Sequence, residues 1–236
     1  LDIDEAVNNF IQGRVMISYG LLAELSVNEK YRSGETVACG DDELRVDVRV
    51  LGPHWVRASQ VQLFSNGHMI REAAIPSEPD SPLPTGVKWA GGWTIPKPHH
   101  DVHLVAIATG PGVDGLYWRM AKPYQPTSPI WEPRVIGCSG AIWLDADKDG
   151  RRTSARDYAE RLVAASTNDV TKLIESLSTY DEAVAAQAAH LLRTSGLSLQ
   201  SQPLLTALKT ASSATQAGFR AYAEAWRENE IVRVSP

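Results

Sequence analysis

The pattern of apolar residues changes near residue 155, and this change limits the chain to a fold with two parts. Before residue 155, short segments with alternating or continuous apolar residues lie between turn residues, as in β-strands. After it, apolar residues recur every three to four positions, as in amphipathic helices. The chain has 236 residues, 43% of them hydrophobic, which is enough to bury a core in one or two domains. We therefore expect a β domain followed by an α domain.

Short strands dominate the β domain, which we place at residues 14–154. Asn66-Gly67 predicts a hairpin, because both residues tolerate the positive φ of a type I′ turn. Regularly spaced strands without long helices between them predict an antiparallel Ig-like β-sandwich. Residues 76–100 contain too many prolines for a central strand and predict an excursion or an edge strand. The predicted strands are 14–20, 21–27, 43–52, 59–67, 68–75, 102–110 and 142–144.

The first residues predict a helix with one apolar face, formed by Ile3, Val7, Phe10 and Ile11, and with Gly13 just past its end. We interpret residues 1–13 as the end of an upstream domain that this chain does not contain. The opening residues lack the basic and apolar regions of a signal peptide, so we expect no targeting segment in this chain. No apolar run of about 18 residues could span a bilayer, so we expect a soluble protein without a membrane partner.

Residues 155–236 predict two helical hairpins, the first of which turns around residues 178–181. The predicted inward face consists of Leu173, Leu177, Ala188, Leu191, Leu204, Leu208, Phe219 and Tyr222. The first hairpin resembles a HEAT repeat, whose signature is approximated by Asp181, Val184, Ala188, Ala189 and Leu192. Because about three repeats are needed for independent stability, we expect the two hairpins to pack against the sandwich. Their remaining surface could bind a protein partner.

Charge and cysteine content exclude several classes of protein. The net charge of −5 is spread without long single-sign blocks, which leaves no extended basic surface for nucleic acid or an anionic membrane. Cys39 and Cys138 are too far apart for a CxxC metal or redox motif, and two cysteines do not form a disulfide framework. We expect both to be buried free thiols.

Two short motifs are reminiscent of catalytic or cofactor-binding loops. GPGVDG at 110–115 satisfies GxGxxG, but no helix is predicted after it and Pro111 lacks an N–H for a phosphate. GCSGA at 137–141 is one residue out of step with the GxSxG nucleophile motif around Ser139. We interpret the first motif as a surface hairpin or loop and predict no catalytic residue in this chain.

Histidines and tryptophans offer two further candidates. His99, His100, Asp101 and His103 are metal-ligand types, but without a second ligand group we predict a surface loop that enters a core strand. Trp89 and Trp93, four residues apart in a glycine-rich segment, are predicted to be exposed and could bind a ligand such as a sugar. The other tryptophans of this region predict core packing: Trp55, Trp118, Trp131 and Trp143.

The segment LDADKDGRRTSAR begins like a calcium-binding loop. Asp145, Asp147 and Asp149 occupy positions 1, 3 and 5, and Gly150 occupies position 6. Position 12 should bring a bidentate carboxylate, but Arg156 stands there, so we predict weak calcium binding that the fold does not need. Alternatively, Lys148, Arg151 and Arg152 neutralise the carboxylates, and the loop is only a turn before a helix capped by Thr153 or Ser154. No other cofactor is predicted for this chain.

Several segments together resemble the CehA/McbA-type metallohydrolases of the PHP (polymerase and histidinol phosphatase) superfamily. In that family a short helix ends in Gly-Arg and leads to a strand and a Gly-[DE]-x-[VI] turn. VQLFSNGHMI and GAIWLDADKDG resemble a hairpin and a C-terminal turn of the same family. Leu21 and Gly140-Ala141 depart from its pattern. The matching positions at the start are Gly13, Arg14, Ser18, Gly20, Leu22, Asn28, Gly34, Glu35 and Val37.

The resemblance covers roughly residues 3–160 and implies an accessory role. The metal ligands of the family belong to a catalytic barrel upstream of these segments, and nothing in this chain matches them. We expect a non-catalytic accessory region whose partner is the upstream catalytic domain of a hydrolase that needs divalent metals. The alternative hypothesis is an autonomous binding module for a carbohydrate or an extracellular partner, which would use Trp89, Trp93 and the loop of aspartates.

Overall fold

A computed structural model of the chain describes residues 2–40, 42–77, 82–113, 134–167 and 169–234. Within these residues the fold is mixed β and α, with a seven-stranded sheet, a four-stranded sheet and six α-helices. The chain divides into two units. The β unit comprises Leu1–Lys97 and His103–Gly150, and the helical unit comprises Pro98–Val102 and Arg151–Pro236.

The two sheets have different strand orders. The seven-stranded sheet has the order β1-β10-β9-β11-β4, and β6 pairs with both β9 and β7. The four-stranded sheet has the order β3-β2-β5-β8. The strands are β1 (Ile17–Tyr19), β2 (Leu22–Val27), β3 (Tyr31–Arg32), β4 (Thr36–Ala38), β5 (Glu43–Leu51), β6 (Gln60–Ser65), β7 (His68–Ala74), β8 (Val87–Pro96), β9 (Val102–Pro111), β10 (Arg134–Cys138) and β11 (Ile142–Asp145).

The core of the β unit comes from strict alternation along the strands. In β5 every second side chain is buried, and the residues between them, such as Arg45 and Arg49, face solvent. Strand β9 buries alternate residues in the same way, as expected when each sheet has one face inward. Strand β2 of the four-stranded sheet contacts β1, β10 and β11 of the other sheet. The two sheets thus face each other in a manner compatible with a β-sandwich.

The hairpin predicted at Asn66-Gly67 is confirmed. It joins β6 to β7, and the two residues have φ values of 48° and 84°. These values fit a type I′ turn, whose twist matches that of the flanking strands.

One expectation about the sheets needs correction. The sheet pairing is not purely antiparallel, because β11 runs parallel to β4, with Leu144 opposite Val37. Parallel pairing requires a long connection, here the chain between the two strands. The edge strand expected in the proline-rich segment is confirmed, because the ten-residue strand β8 lies at one edge of its sheet, where missing N–H groups are tolerated.

The predicted opening helix is α1 (Ile3–Ile11), and its ends follow the sequence signals. Asp2 caps it by accepting a hydrogen bond from the Glu5 N–H at 3.1 Å. Gly13, just past its end, has a φ of 73°, which few side chains other than hydrogen allow. None of the residues of α1 is buried.

The helical unit contains five α-helices among its described residues. Helix α3 packs on α5, α4 packs on α6, and α2 packs on α4. None of the helices that the structure describes is both long and apolar enough to cross a membrane. The helices are α2 (Ala155–Ser166), α3 (Val170–Ser176), α4 (Glu182–Thr194), α5 (Gln202–Lys209) and α6 (Ser213–Val234), with a 3-10 turn at Leu177–Thr179.

The inward face predicted for these helices is largely confirmed. Leu173, Leu177, Ala188, Leu204 and Phe219 belong to one buried cluster. The remaining predicted residues, Leu191, Leu208 and Tyr222, are only partly buried against it, and Leu192 is the buried leucine of that turn of α4. Position 191 lies at the margin of the apolar stripe, where the 3.6-residue period alone does not separate buried from half-buried residues.

Ser154 caps α2 through a capping box with Asp157. The Ser154 hydroxyl accepts from the Asp157 N–H at 3.2 Å, and the Asp157 carboxylate accepts from the Ser154 N–H at 2.9 Å. Hydrogen bonds from the side chain and backbone of Ser154 lower the pKa of Asp157. Of the two caps expected from the sequence, Ser154 is therefore the one that the helix uses.

We expect Ser154→Ala to lower the free energy of unfolding by about 1 kcal/mol at pH 7, because α2 loses its cap. A carboxyl group with a lowered pKa stabilises the fold above its unfolded pKa, and this contribution disappears as the pH falls through the folded value. The difference between the two proteins should therefore shrink below about pH 3.9. Urea unfolding of both proteins at several pH values measures this difference in the free energy of unfolding. Ser201→Ala is the control, because Ser201 precedes α5 without a side-chain cap hydrogen bond.

Candidate functional site

The loop that follows β11 brings three carboxylates together. Asp145 is the last residue of β11, and Asp147 and Asp149 follow on the loop. Each of the three offers an oxygen, and these oxygens lie within 4.8 Å of one another. Positive φ values at Lys148 and Gly150, 63° and 75°, bend the chain so that alternate residues converge.

Hydrogen bonds inside the loop satisfy one oxygen of Asp145 and one oxygen of Asp147. The Gly150 N–H donates to Asp145 Oδ2 at 3.0 Å, and the Asp149 N–H donates to Asp147 Oδ1 at 3.1 Å. Asp145 is 3% exposed, and its Oδ1 is buried without a hydrogen-bond partner among the residues that the structure describes. A buried acceptor without a donor carries a desolvation cost, and the neighbouring carboxylates add like-charge repulsion. The loop therefore has the charge and the free oxygen that a cation would require.

The residues near the twelfth position of the loop are engaged elsewhere. The Arg156 guanidinium lies 2.8 Å from Glu160 on the same helix. Asp157, one residue further on, forms the capping box with Ser154. No carboxylate at or next to this position is therefore available as a bidentate ligand of the kind found in EF-hand loops.

Trp89 and Trp93 lie on strand β8 and form an aromatic pair. Their ring centroids are 5.7 Å apart with an interplanar angle of 32°. They stand opposite Val50 and Val46 of β5, and opposite residues of an antiparallel pair share one face of the sheet. Both indoles are half-buried on the core side of the edge strand. The expectation of exposed tryptophans in a loop is therefore wrong, because the segment forms a strand whose alternation turns both rings inward.

The cluster of His99, His100, Asp101 and His103 is not a surface loop throughout. His100 and Asp101 are buried, whereas His99 is exposed. Within the helical unit, His100 Nε2 lies 3.2 Å from Asp181 Oδ2, and the imidazole packs against Tyr158 and Tyr180. Among the described residues, no group of three potential metal ligands contains a histidine or a cysteine.

Ser139 and Gly110, from the two catalytic-like motifs, have structural contacts. The Ser139 hydroxyl accepts from the Ala106 N–H at 2.9 Å, and the Ser139 N–H donates to the Ala106 carbonyl at 2.9 Å. Gly110 lies in β9, where an added Cβ atom would overlap the Arg57 carbonyl oxygen. The last two residues of the GPGVDG motif, together with Trp118 and Trp131, lie outside the described residues.

The thiols were expected to be free and buried, and both cysteines are free. Cys39 is buried in the β unit, and Cys138 is half-buried. Burial raises the pKa of the Cys138 thiol, which lowers the fraction of reactive thiolate at neutral pH.

An exposed apolar surface begins at α1. Ile3, Val7, Phe10 and Ile11 share one face of the helix and are 74%, 50%, 72% and 74% exposed. Paired strands β1 and β10 carry further exposed apolar residues on one side of the sheet: Ile17, Tyr19 and Ile136. We call these seven residues the α1/β1 surface. Sequence periodicity identified the helix face, but it did not indicate that this face is exposed.

A groove of about 660 Å³ lies along the outward side of the four-stranded sheet. Its lining includes Arg14, Arg32 and Arg49, and Arg49 is ion-paired with Glu24 at 2.6 Å. No motif in the sequence points to this groove. The signal was the alternation of charged residues along β5, which places Asp47 and Arg49 on the side opposite the core.

No protein-family model, no curated protein and no solved structure matches this chain.

Proposed function

We propose that this chain is a non-catalytic accessory region of a CehA/McbA-type, PHP-superfamily hydrolase. Its β unit, an Ig-like sandwich in this proposal, packs against the catalytic domain of that enzyme through the α1/β1 surface. Its helical unit, two HEAT-like hairpins, binds a protein partner. The observation that carries the proposal is the exposed apolar face of α1.

A helix such as α1 needs a partner to be stable. It has nine residues and none of them is buried, and isolated helices shorter than about 12–15 residues are marginal in water. Burying a large apolar side chain contributes about 1.5–3 kcal/mol. Four such side chains on one face therefore supply enough free energy to hold this helix against another protein surface.

The catalytic domain is the occupant that best fits this surface. In the family that residues 3–160 resemble, the catalytic barrel precedes these segments, so α1 is the element nearest to it along the chain. Ile17, Tyr19 and Ile136 are further exposed apolar residues on the paired strands β1 and β10. Exposed apolar surface of this kind typically marks a protein interface.

The helical unit supports a separate interaction with a protein. Equivalent helices of the two hairpins pack on each other, α3 on α5 and α4 on α6, which is the stacking expected of helical repeats. A groove of about 560 Å³ beside α5 and α6 is lined in part by Leu205, Leu208 and Phe219. An amphipathic helix of a partner could place its apolar face in such a groove.

Binding to a catalytic domain tests the proposal. We expect the chain to bind a purified catalytic barrel of a CehA/McbA-type hydrolase, as measured by analytical ultracentrifugation. Phe10→Glu should weaken binding at least tenfold, because it removes a buried ring and introduces a charge into an apolar interface. Metal-dependent hydrolysis, measured in the same samples, should occur only where the barrel is present.

Val232→Glu is the matched control, since Val232 is a helical residue that is 72% exposed. This variant should bind the barrel as the unchanged chain does. Equal binding by the Phe10→Glu variant, or no binding by the unchanged chain, would contradict the proposed interface. Dimerisation that is lost in Phe10→Glu would show that a second copy occupies this surface.

An autonomous binding module is the second candidate function, and the groove on the four-stranded sheet favours it. Two of the lining arginines, Arg14 and Arg32, suit a ligand with carboxylate or phosphate groups. Trp89 and Trp93 are half-buried on the core side of β8, opposite to the outward side on which the groove lies. Measuring the binding of acidic oligosaccharides to the unchanged chain and to the Arg32→Ala variant separates the two functions. Arg32-dependent binding in a chain that does not bind the barrel supports the module.

A further inference from the structure

We propose that the loop formed by Asp145, Asp147 and Asp149 is a calcium site, with the buried carboxylate of Asp145 as its central ligand. This proposal does not depend on the interface proposed for α1, because the two involve different residues and different measurements.

The unsatisfied oxygen of Asp145 is the observation that points to a ligand. Asp145 is 3% exposed, and within the described part of the chain its Oδ1 has no hydrogen-bond partner, although buried polar groups in proteins almost always have one. Its other oxygen already accepts from the Gly150 N–H. A carboxylate buried beside two further carboxylates is costly unless a positive charge compensates for it. A bound cation would satisfy the free oxygen and remove the repulsion in one step.

The donor atoms select the type of cation. The three side chains offer only carboxylate oxygens, which favour hard cations over zinc or copper, whose preferred sites include nitrogen or sulfur ligands. Magnesium requires a nearly ideal octahedron and retains several waters. Calcium accepts irregular arrangements of six to eight oxygens. A turn with two left-handed residues, Lys148 and Gly150, suits calcium better.

The expected affinity is low. A bidentate carboxylate at the twelfth position is missing, since Arg156 is paired with Glu160 and Asp157 caps α2. Extracellular calcium modules with few protein ligands have dissociation constants of about 10⁻⁴ to 10⁻³ M. We expect this loop to lie in that range, so that micromolar calcium leaves it empty.

Thermal unfolding and terbium luminescence test the site on the unchanged chain. Calcium at 10 mM should raise the unfolding midpoint of the β unit by about 3–6 °C relative to chelator, whereas micromolar calcium should not. Terbium has similar ligand preferences and luminesces when a nearby indole is excited. Trp143 is two residues before Asp145 on β11. The terbium signal should therefore appear and should decrease when millimolar calcium is added.

Asp147→Asn is the decisive variant, because an asparagine oxygen can still accept from the Asp149 N–H. It should bind calcium at least tenfold more weakly. In chelator it should be at least as stable as the unchanged chain, since one of three repelling charges is gone. If the loop is only a turn and binds no ion, neither the unchanged chain nor Asp147→Asn should respond to calcium. Asp145→Asn should also abolish the response.

Asp42→Asn is the matched control, since Asp42 is an exposed aspartate of the β unit outside the loop. It should retain the full calcium response. A response that magnesium reproduces at equal ionic strength, or that persists in Asp147→Asn, would overturn the proposal. The absence of any shift up to 10 mM calcium would overturn it as well.

Discussion

Replacing Leu173 with alanine is expected to lower the free energy of unfolding of the helical unit by about 2–5 kcal/mol. Leu173 lies on α3, is 0% exposed and belongs to the central cluster with Leu177, Leu204 and Phe219. Alanine would lose the transfer free energy of the removed carbons and leave a cavity. Because α3 packs directly on α5, we expect the cavity to lie near the contact between these two helices.

Urea unfolding followed by circular dichroism at 222 nm measures this change. Leu191→Ala is the matched control, because Leu191 lies in the same unit but is only partly buried. It should cost less than Leu173→Ala, about 1 kcal/mol, in proportion to the area buried. Equal losses at the two positions would contradict the burial described for α4, and a loss below about 1 kcal/mol at Leu173 would place it outside the core.

Gly110→Ala is expected to destabilise the β unit by about 3 kcal/mol or more. A Cβ atom at this position would overlap the Arg57 carbonyl oxygen and lie 2.9 Å from the carbonyl carbon. The obstacle is backbone, so no side-chain rotation removes it. Val135, opposite Gly110 on β10, would also lie 3.0 Å from the new atom through its Cγ2. The strand or the segment at Arg57 would have to move.

Tryptophan fluorescence during urea unfolding follows this effect in the β unit. Gly40→Ala is the control, since a Cβ atom at Gly40 would have no neighbour within 4 Å. The control should change the free energy of unfolding by about 0.5 kcal/mol or less. If Gly110→Ala were equally mild, the close approach of β9 and Arg57 would be wrong. The glycine that suggested a phosphate loop in the sequence thus has a packing explanation.

The elements that sequence reasoning predicted well are those with strong local signals. Strand β5 alternates over nine residues, the Asn66-Gly67 turn favours positive φ, and Asp181 caps α4 through the Val184 N–H. Each signal acts between residues close in the sequence. Local chemistry is therefore sufficient to predict these elements.

Other strands depend on partners that the sequence does not specify. Strand β3 has two residues and β4 has three, which is too short for a pattern. Strand β8 contains Gly91 and Gly92 and ends at Pro96, all unfavourable in strands. It forms because β5 offers a hydrogen-bonding edge along its length. Such tertiary pairing overrides local propensity.

The same contrast between local sequence signals and tertiary contacts applies to the candidate sites. The spacing of Asp145, Asp147 and Asp149 predicted their convergence, but the burial of Asp145 depends on where β11 lies in the sheet. Amphipathicity predicted the apolar face of α1, and only the structure places that face in solvent. The sequence alone did not separate the buried Leu192 from its partly buried neighbour Leu191.

Because β1 pairs with β10, the β unit cannot finish folding until β10 has been synthesised. Ile17 pairs with Cys138, and the Ser33 hydroxyl donates to the Gly140 carbonyl across 107 residues. Topologies dominated by such distant contacts fold in milliseconds to seconds, whereas helical units with local contacts fold in microseconds to milliseconds. During synthesis, β1 must therefore wait until residues 134–138 have left the ribosome. The helical unit leaves the ribosome after the β unit, and its more local contacts allow it to fold within microseconds to milliseconds.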